Sequence, residues 1–293
     1  MSFNEYFSTS VKRYHDAPWL TIRRTELLGR FLQKFDISTQ LPRIVLIDRV
    51  TAAFSNLPFE NLTKIIKAGA VTSASSAMRY PDELISDFLA WGTGGTCFSL
   101  SASLIALLDA LGIEAYPALA DRHYGPNTHC GVLIPASGGD MLLCDPGYLL
   151  FAPVKAPRDL PVSFNNGFNV VELLPLAGGA RIELYTVVKG NRKLRLTFKI
   201  EPVDDNAFGK AWEQSFAFEM MSYPVLTRTA NGCHQYLQAN TLAVRDSQRT
   251  RRQTLSPESQ IEFITATAGI HRDIALRALE IVKYGLDSAA AAR

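Results

Sequence analysis

Cysteine is scarce and unclustered in this sequence. Its four cysteines, Cys97, Cys130, Cys144 and Cys233, form no Cys-X-X-Cys pair, which counts against a zinc ribbon or a thioredoxin-type site and leaves no metal site expected. A reducing cytoplasm is the simplest setting. Long apolar runs are missing too, since none approaches the roughly 18 residues needed to cross a bilayer. The opening Met1-Ser2-Phe3-Asn4-Glu5-Tyr6 has no basic segment leading into an apolar core, so no secretory signal is expected. An excess of one charge sign is absent: 30 Lys and Arg stand against 28 Asp and Glu, a net charge of +2. No nucleic-acid partner is expected from that balance, and no membrane partner from the lack of a spanning apolar run. No repeat, Walker loop or dinucleotide fingerprint occurs. What is present is 47% hydrophobic residues in a chain of 293. That content describes a folded protein long enough for two or three domains.

The stretch from Thr93 to Leu111 organises the chain. Gly92, Gly94 and Gly95 allow a sharp, closely approached backbone just before Cys97. Leu104, Ile105, Leu108 and Leu111 then recur at helical spacing, and Gly112 supplies a stop. Cys97 is therefore expected in the first turn of a buried helix. Free amides and the positive end of the helix dipole favour a thiolate there, and the same amides suit an oxyanion. A downstream base is available. His129 begins a strand to Ile134, Met141–Asp145 reads as its partner, and Pro135–Gly139 reads as the hairpin loop. Pairing Ile134 with Asp140 puts His129 opposite Asp145, and a slip of one residue puts Asp145 on the face of Cys130 instead. Cys97, His129 and Asp145 would then form a nucleophile, base and orienter. Cys130 and Cys144 are expected to point to the opposite faces as small buried core residues. His123, in a loop over Asp121–Asn127, is the competing histidine and reads as solvated.

These residues resemble the arylamine N-acetyltransferase family. That family pairs an upstream Pro-Phe-Glu-Asn-Leu motif with an Arg-Gly-Gly-X-Cys-Phe turn, a Thr-His strand and an Asp-Val-Gly-Phe turn. Pro58-Phe59-Glu60-Asn61-Leu62 matches unchanged, Gly94-Gly95-Thr96-Cys97-Phe98 matches from its first glycine, and Thr128-His129 and Asp145-Pro146-Gly147-Tyr148 follow in order. The resemblance is close from Asp48 to Pro153 and loose beyond. It implies an acyl group passed from a thioester, usually acetyl-coenzyme A, through Cys97 to a small amine acceptor. No permanent cofactor is implied, and an acyl carrier protein is the alternative donor. Phe59, Phe98, Tyr124 and Tyr148 are the candidate substrate-pocket residues. Thr93 stands where the family has arginine, removing an ion-pair partner from near Glu60, and Ser99 and Ser101 also depart from the pattern. Those changes keep two alternatives open, a carrier-dependent amide synthase and an inert binding homologue. A transglutaminase-like or papain-like hydrolase is disfavoured by the Pro-Phe-Glu-Asn-Leu motif.

The expected class is α+β. A helical domain (1–112), a β-barrel (113–201) and an α/β lid (202–293) surround a core that the resemblance makes cysteine-proteinase-like. Helices are expected over Asp48–Leu57, Pro81–Leu89 and His271–Tyr284, the last followed by a frayed alanine tail. Lys67–Tyr80 and Phe151–Phe168 read as irregular. Glu60 and Asn61 read, from the residues alone, as a solvated and capped loop; the resemblance gives them a structural role beneath the site. Arg245, Arg249, Arg251 and Arg252 read as a solvated turn, with phosphate contact as the functional alternative.

Overall fold

A computed structural model describes residues 14–188, 190–230 and 232–291. The expectations for the opening Met1–Tyr6 and for the last two residues of the alanine tail lie outside them. The helical part contains α1 (Thr25–Lys34), α2 (Arg43–Phe54), β1 (Phe59–Glu60), α3 (Leu62–Ala70), α4 (Ala74–Ala77), α5 (Pro81–Trp91) and α6 (Cys97–Ala110). Helix α6 is its axis. Every residue from Cys97 to Asp109 is buried, because its polar positions are mostly serines, small enough to pack among leucines. Its exit at Gly112 (φ 71°) is closed by bonds from the Gly112 and Ile113 amides to Asp109 and Leu108. Helix α5 opens on Pro81 with Asp82 and Glu83 in its first turn and ends on left-handed Gly92, as its start and stop residues dictate.

An eight-stranded antiparallel sheet follows: β2 (Tyr116–Arg122), β3 (Gly125–Pro135), β4 (Met141–Asp145), β5 (Leu150–Lys155), β6 (Val162–Asn165), β7 (Val170–Leu176), β8 (Arg181–Val188) and β9 (Asn191–Lys199). Its order, β5-β4-β3-β2-β9-β8-β7-β6, leaves it curled and open between β5 and β6, a half-barrel. The alternating burial of β8 packs Ile182, Leu184 and their neighbours into a core of their own. Helix α7 (Asp205–Gln214) leads into a second sheet of β10 (Val225–Ala230), β11 (Cys233–Gln238), β12 (Thr241–Arg245) and β13 (Thr250–Thr254). Helices α8 (Pro257–Glu262) and α9 (Arg272–Ala291) complete the chain. No helix among the described residues is long and apolar enough to cross a membrane.

Several local expectations need correction. Lys67–Tyr80 is not a loop throughout, since α3 runs to Ala70 and α4 follows. Phe151–Phe168 carries β5 and β6, of which β5 holds a proline and β6 is only four residues long. Asp121–Asn127 is a tight β2–β3 connection rather than an open loop. Arg251 and Arg252 lie in strand β13, not in a turn. Strand β1 is the least local element: it pairs with β10 through Phe59 with Thr227 and Glu60 with Leu226. A piece of the helical part is thereby the edge strand of the C-terminal sheet.

Candidate active site

The nucleophile turn is fixed by close backbone approach. A Cβ on Gly94 would lie 1.8 Å from the Pro58 carbonyl oxygen, so only glycine fits there. The Gly95 amide donates to Pro58 and the Glu60 amide donates back to Gly95. The two sequence motifs are thus stitched to each other. Thr96 is the N-cap of α6 in extended backbone (φ −84°, ψ 173°), and Cys97 is the first helical residue, beside amides with no helical partner. Opposite it, a Cβ on Gly147 would lie 3.1 Å from Cys97 Cα and Cβ. The Asp145-Pro146-Gly147-Tyr148 turn therefore passes directly over the thiol.

His129 and Asp145 meet, though not in the expected register. Ile134 pairs with Leu142 and Val132 with Cys144, a shift of two residues from the expected pairing. A two-residue shift preserves facing, and His129 Nε2 lies 2.6 Å from Asp145 Oδ2, both side chains being buried. The Gly147 amide donates to the other oxygen, Asp145 Oδ1, at 3.0 Å. Arg122 Nη2 lies 3.0 Å from His129 Nδ1. A guanidinium only donates, so in the neutral imidazole Nδ1 accepts and the Nε2 proton faces Asp145. That leaves the Nδ1 lone pair as the basic position. Once protonated, Nδ1 can only donate, and the bond from Arg122 is given up.

Cys97 is held well below the usual thiol range. The Cys130 thiol donates to it, and His129 and Arg122 add positive charge, together outweighing burial. Burial opposes charge on His129, yet Asp145 and Cys97 hold its pKa above the ordinary imidazole value. Burial raises Asp145, with the charge of His129 opposing it. The favoured state is a thiolate–imidazolium pair over a carboxylate. Cys130 is a buried core residue, as expected, and its thiol also acts on Cys97. Successive strand residues face opposite ways, so Cys130 shares the core beneath α6 with Cys97 while His129 faces the other side of β3. The Cys130 thiol itself is pushed well up by burial, and Cys144 is likewise raised by burial.

A cavity of about 430 Å³ opens over Cys97 and His129, bounded by Phe59, Phe98, Tyr124 and Tyr148 and by the C-terminal sheet. The ring of Tyr148 lies 6.2 Å from that of His129. Tyr124 is exposed and meets Phe218 edge-on. Phe98 is fully buried with its ring against Phe208, so it contributes a wall more than a contact. His123 stacks edge-on with Tyr124 and is not among the residues lining the cavity.

No family model and no curated protein matches the sequence. Solved structures do match the fold. The Nocardia farcinica arylamine N-acetyltransferase superposes with a TM-score of 0.72 at 18% identity, over 90% of this chain and 98% of that one. The Mycobacterium abscessus enzyme gives 0.72 at 17%, over 87% and 94%. The Mycobacterium marinum enzyme, in complex with CoA, gives 0.73 at 14%, over 87% and 98%. The chain has the arylamine N-acetyltransferase fold. Glu60, expected to lack a cation because of Thr93, has one from elsewhere in the chain. Arg79, just before α5, lies 3.6 Å from Glu60 Oε1 and donates to Thr63 Oγ1 and to the Gly94 carbonyl, each at 2.6 Å. Glu60 is not solvated, as the residue pattern alone suggests, but fully buried, and it accepts from the Thr63 amide and hydroxyl. Asn61 caps nothing in α3; it accepts from the Val225 amide and donates to Tyr223. Thr93 itself is buried with its hydroxyl unpartnered. Thr93→Val therefore leaves the urea midpoint unchanged or raises it, because an orphaned hydroxyl is removed from the interior.

Arg122, Arg79 and Lys64 were not legible as site residues. Arg122 reaches His129 through a register shift between Ala120 and Arg122, which no sequence pattern marks. Its removal has a defined sign. Arg122 charge lowers the Cys97 pKa, so Arg122→Met moves the pH midpoint of Cys97 alkylation upward. A midpoint that stays in place would show that Arg122 does not act on the thiolate.

Proposed function

We propose that this chain is a cysteine acyltransferase that moves an acyl group, acetyl in the simplest case, from a coenzyme A thioester to an amine. The observation that carries this reading is the low-pKa thiol of Cys97 at a helix start, beside the His129–Asp145 pair, inside a cavity roofed by the C-terminal sheet. The CoA bound to the structurally similar M. marinum enzyme and the arginines Arg195, Arg245 and Arg252 along this cavity support a phosphate-bearing donor.

The Cys97 thiolate attacks the thioester carbonyl, and the first amides of α6 hold the oxyanion. Collapse forms the Cys97 thioester and expels the donor thiolate, which takes the proton from His129. The acceptor amine then attacks the Cys97 thioester. His129 accepts the amine proton, Cys97 leaves as thiolate, and the amide departs. Asp145 holds the imidazole in orientation throughout. The cation that Arg79 supplies to Glu60 weighs against the inert reading. Transfer of a carrier-bound acyl chain stays the second reading, favoured by the same arginines.

Intact-mass spectrometry with acetyl-coenzyme A and no acceptor tests the proposal. An added acetyl group, absent in Cys97→Ala, is the expected result. No adduct from acetyl-coenzyme A or from longer and carrier-bound thioesters would overturn it.

A further inference from the structure

Lys64 is a buried cation with no carboxylate partner among the described residues; the one negative charge acting on it is that of Cys97. It sits on α3, and its ammonium donates to the Ser215 carbonyl at 3.0 Å and to the Ser215 hydroxyl at 2.7 Å. It also lies 4.0 Å from the centre of the Phe216 ring. No described carboxylate comes within 4 Å of it. An ammonium carries three N–H donors, so one is left after the two bonds to Ser215. Lys64 is only 5% exposed and borders the cavity over Cys97. Burial pulls it down to about 8, so it still carries its proton at neutral pH. Isolated buried ammonium groups are costly, and their retention calls for a counter-charge.

The cavity itself supplies too little, its one anion being the Cys97 thiolate. Of its lining residues, Lys64, Arg122, Arg195, Arg245 and Arg252 are cationic and none is acidic. Next to the reacting sulfur, the Cys97 thiolate and Asp145 balance His129 and Arg122, which leaves the charge of Lys64 unmatched. A further cation, Arg122, has its buried Nε without a partner. The phosphates of a coenzyme A donor do not fill this deficit. The whole pantetheine arm separates them from the thioester held at Cys97. Arg245 also borders a neighbouring cavity of about 490 Å³, which places it toward the far end.

We propose that the acceptor is an amine bearing a carboxylate, held by Lys64 in the cavity over Cys97. This rests on the acyl-transfer reading. It makes Lys64 a specificity-determining residue: it binds the acceptor's anionic end and takes no part in proton transfer.

The test compares 4-aminobenzoate with 4-aminobenzamide, which has the same shape and no charge. Titration calorimetry on the full-length, unacylated protein is expected to show about tenfold tighter binding of the carboxylate. Lys64→Met is expected to bring that ratio to near one, and Lys64→Arg to restore it. Should Lys64→Met fail to fold, Lys64→Gln, which keeps a donor to Ser215, takes its place. Absence of any preference in the wild type overturns the proposal, as does a preference that survives loss of the ammonium. Binding is measured without turnover, so a protein that forms no Cys97 adduct but prefers the carboxylate refutes the acyl-transfer reading alone. In steady-state transfer, the ratio of kcat/KM for the two acceptors is expected to fall about tenfold in Lys64→Met.

Discussion

Removing the imidazole in His129→Ala slows acylation of Cys97 roughly 10³-fold or more, the contribution expected of a positioned base acting on a nucleophile. Two effects combine. The base that takes and returns the proton is lost, and so is a cation that holds the thiol low. The second effect has a separate signature in the rate of alkylation against pH. In the wild type the Cys97 pKa is depressed, so the thiolate persists below the ordinary thiol range near 8.5 and alkylation fades only as pH falls through the lowered value. The His129 pKa is raised, so the imidazolium survives to higher pH than an isolated one. The ion pair therefore occupies the window between these two values. In His129→Ala the midpoint moves up toward the ordinary thiol value. Rapid alkylation of His129→Ala near neutral pH would show that the imidazole is not what ionises Cys97.

Arg79→Met destabilises the fold by about 3–5 kcal/mol, the usual cost of stripping one partner from a buried ion pair. Glu60 is fully buried, with Arg79 at 3.6 Å as its cation. Without Arg79 its remaining bonds come from Thr63, and its charge is uncompensated. The Gly94 carbonyl also loses its donor. Chemical denaturation reads the effect as a lower urea midpoint. Glu60→Gln is expected to cost less, because Arg79 keeps Asp87 at 2.8 Å. Equal losses in the two variants would count against the charge argument. Because Arg79 holds the nucleophile turn, any folded Arg79→Met protein should also alkylate more slowly at Cys97.

Legibility followed the range of the interactions. Cys97 was readable because glycine turn, cysteine and helix are contiguous, and chemistry at a helix start depends on local geometry. His129 and Asp145 were readable because a short hairpin conserves the parity of its faces; the pairing was wrong by two residues and the facing still right. Arg79 and Lys64 were not readable. Each acts on a residue or cavity assembled from distant segments, Lys64 through Ser215, 151 positions away. Cys130 was rightly placed in the buried core on the face away from His129; strand alternation does not show that this face also meets the nucleophile. The strands β5 and β6 were missed for a different reason: β5 is interrupted by Pro153 and β6 is only four residues long, so their pattern is too brief to register.

The Asn61–Val225 bond spans 164 positions, and β1 enters a sheet only once β10 exists, having until then only its bridge to Gly95. This has a consequence for biosynthesis. Chains grow from the N-terminus, so Cys97 leaves the ribosome long before the segment that clamps Phe59 and Glu60, and with them the turn that carries the thiol. Until residues 225–227 are made, that turn lacks one of its two anchors. A chain cut short before β10 would carry every proposed triad residue and still lack a fully fastened nucleophile, so reactivity arrives late in synthesis rather than with the residue that bears it.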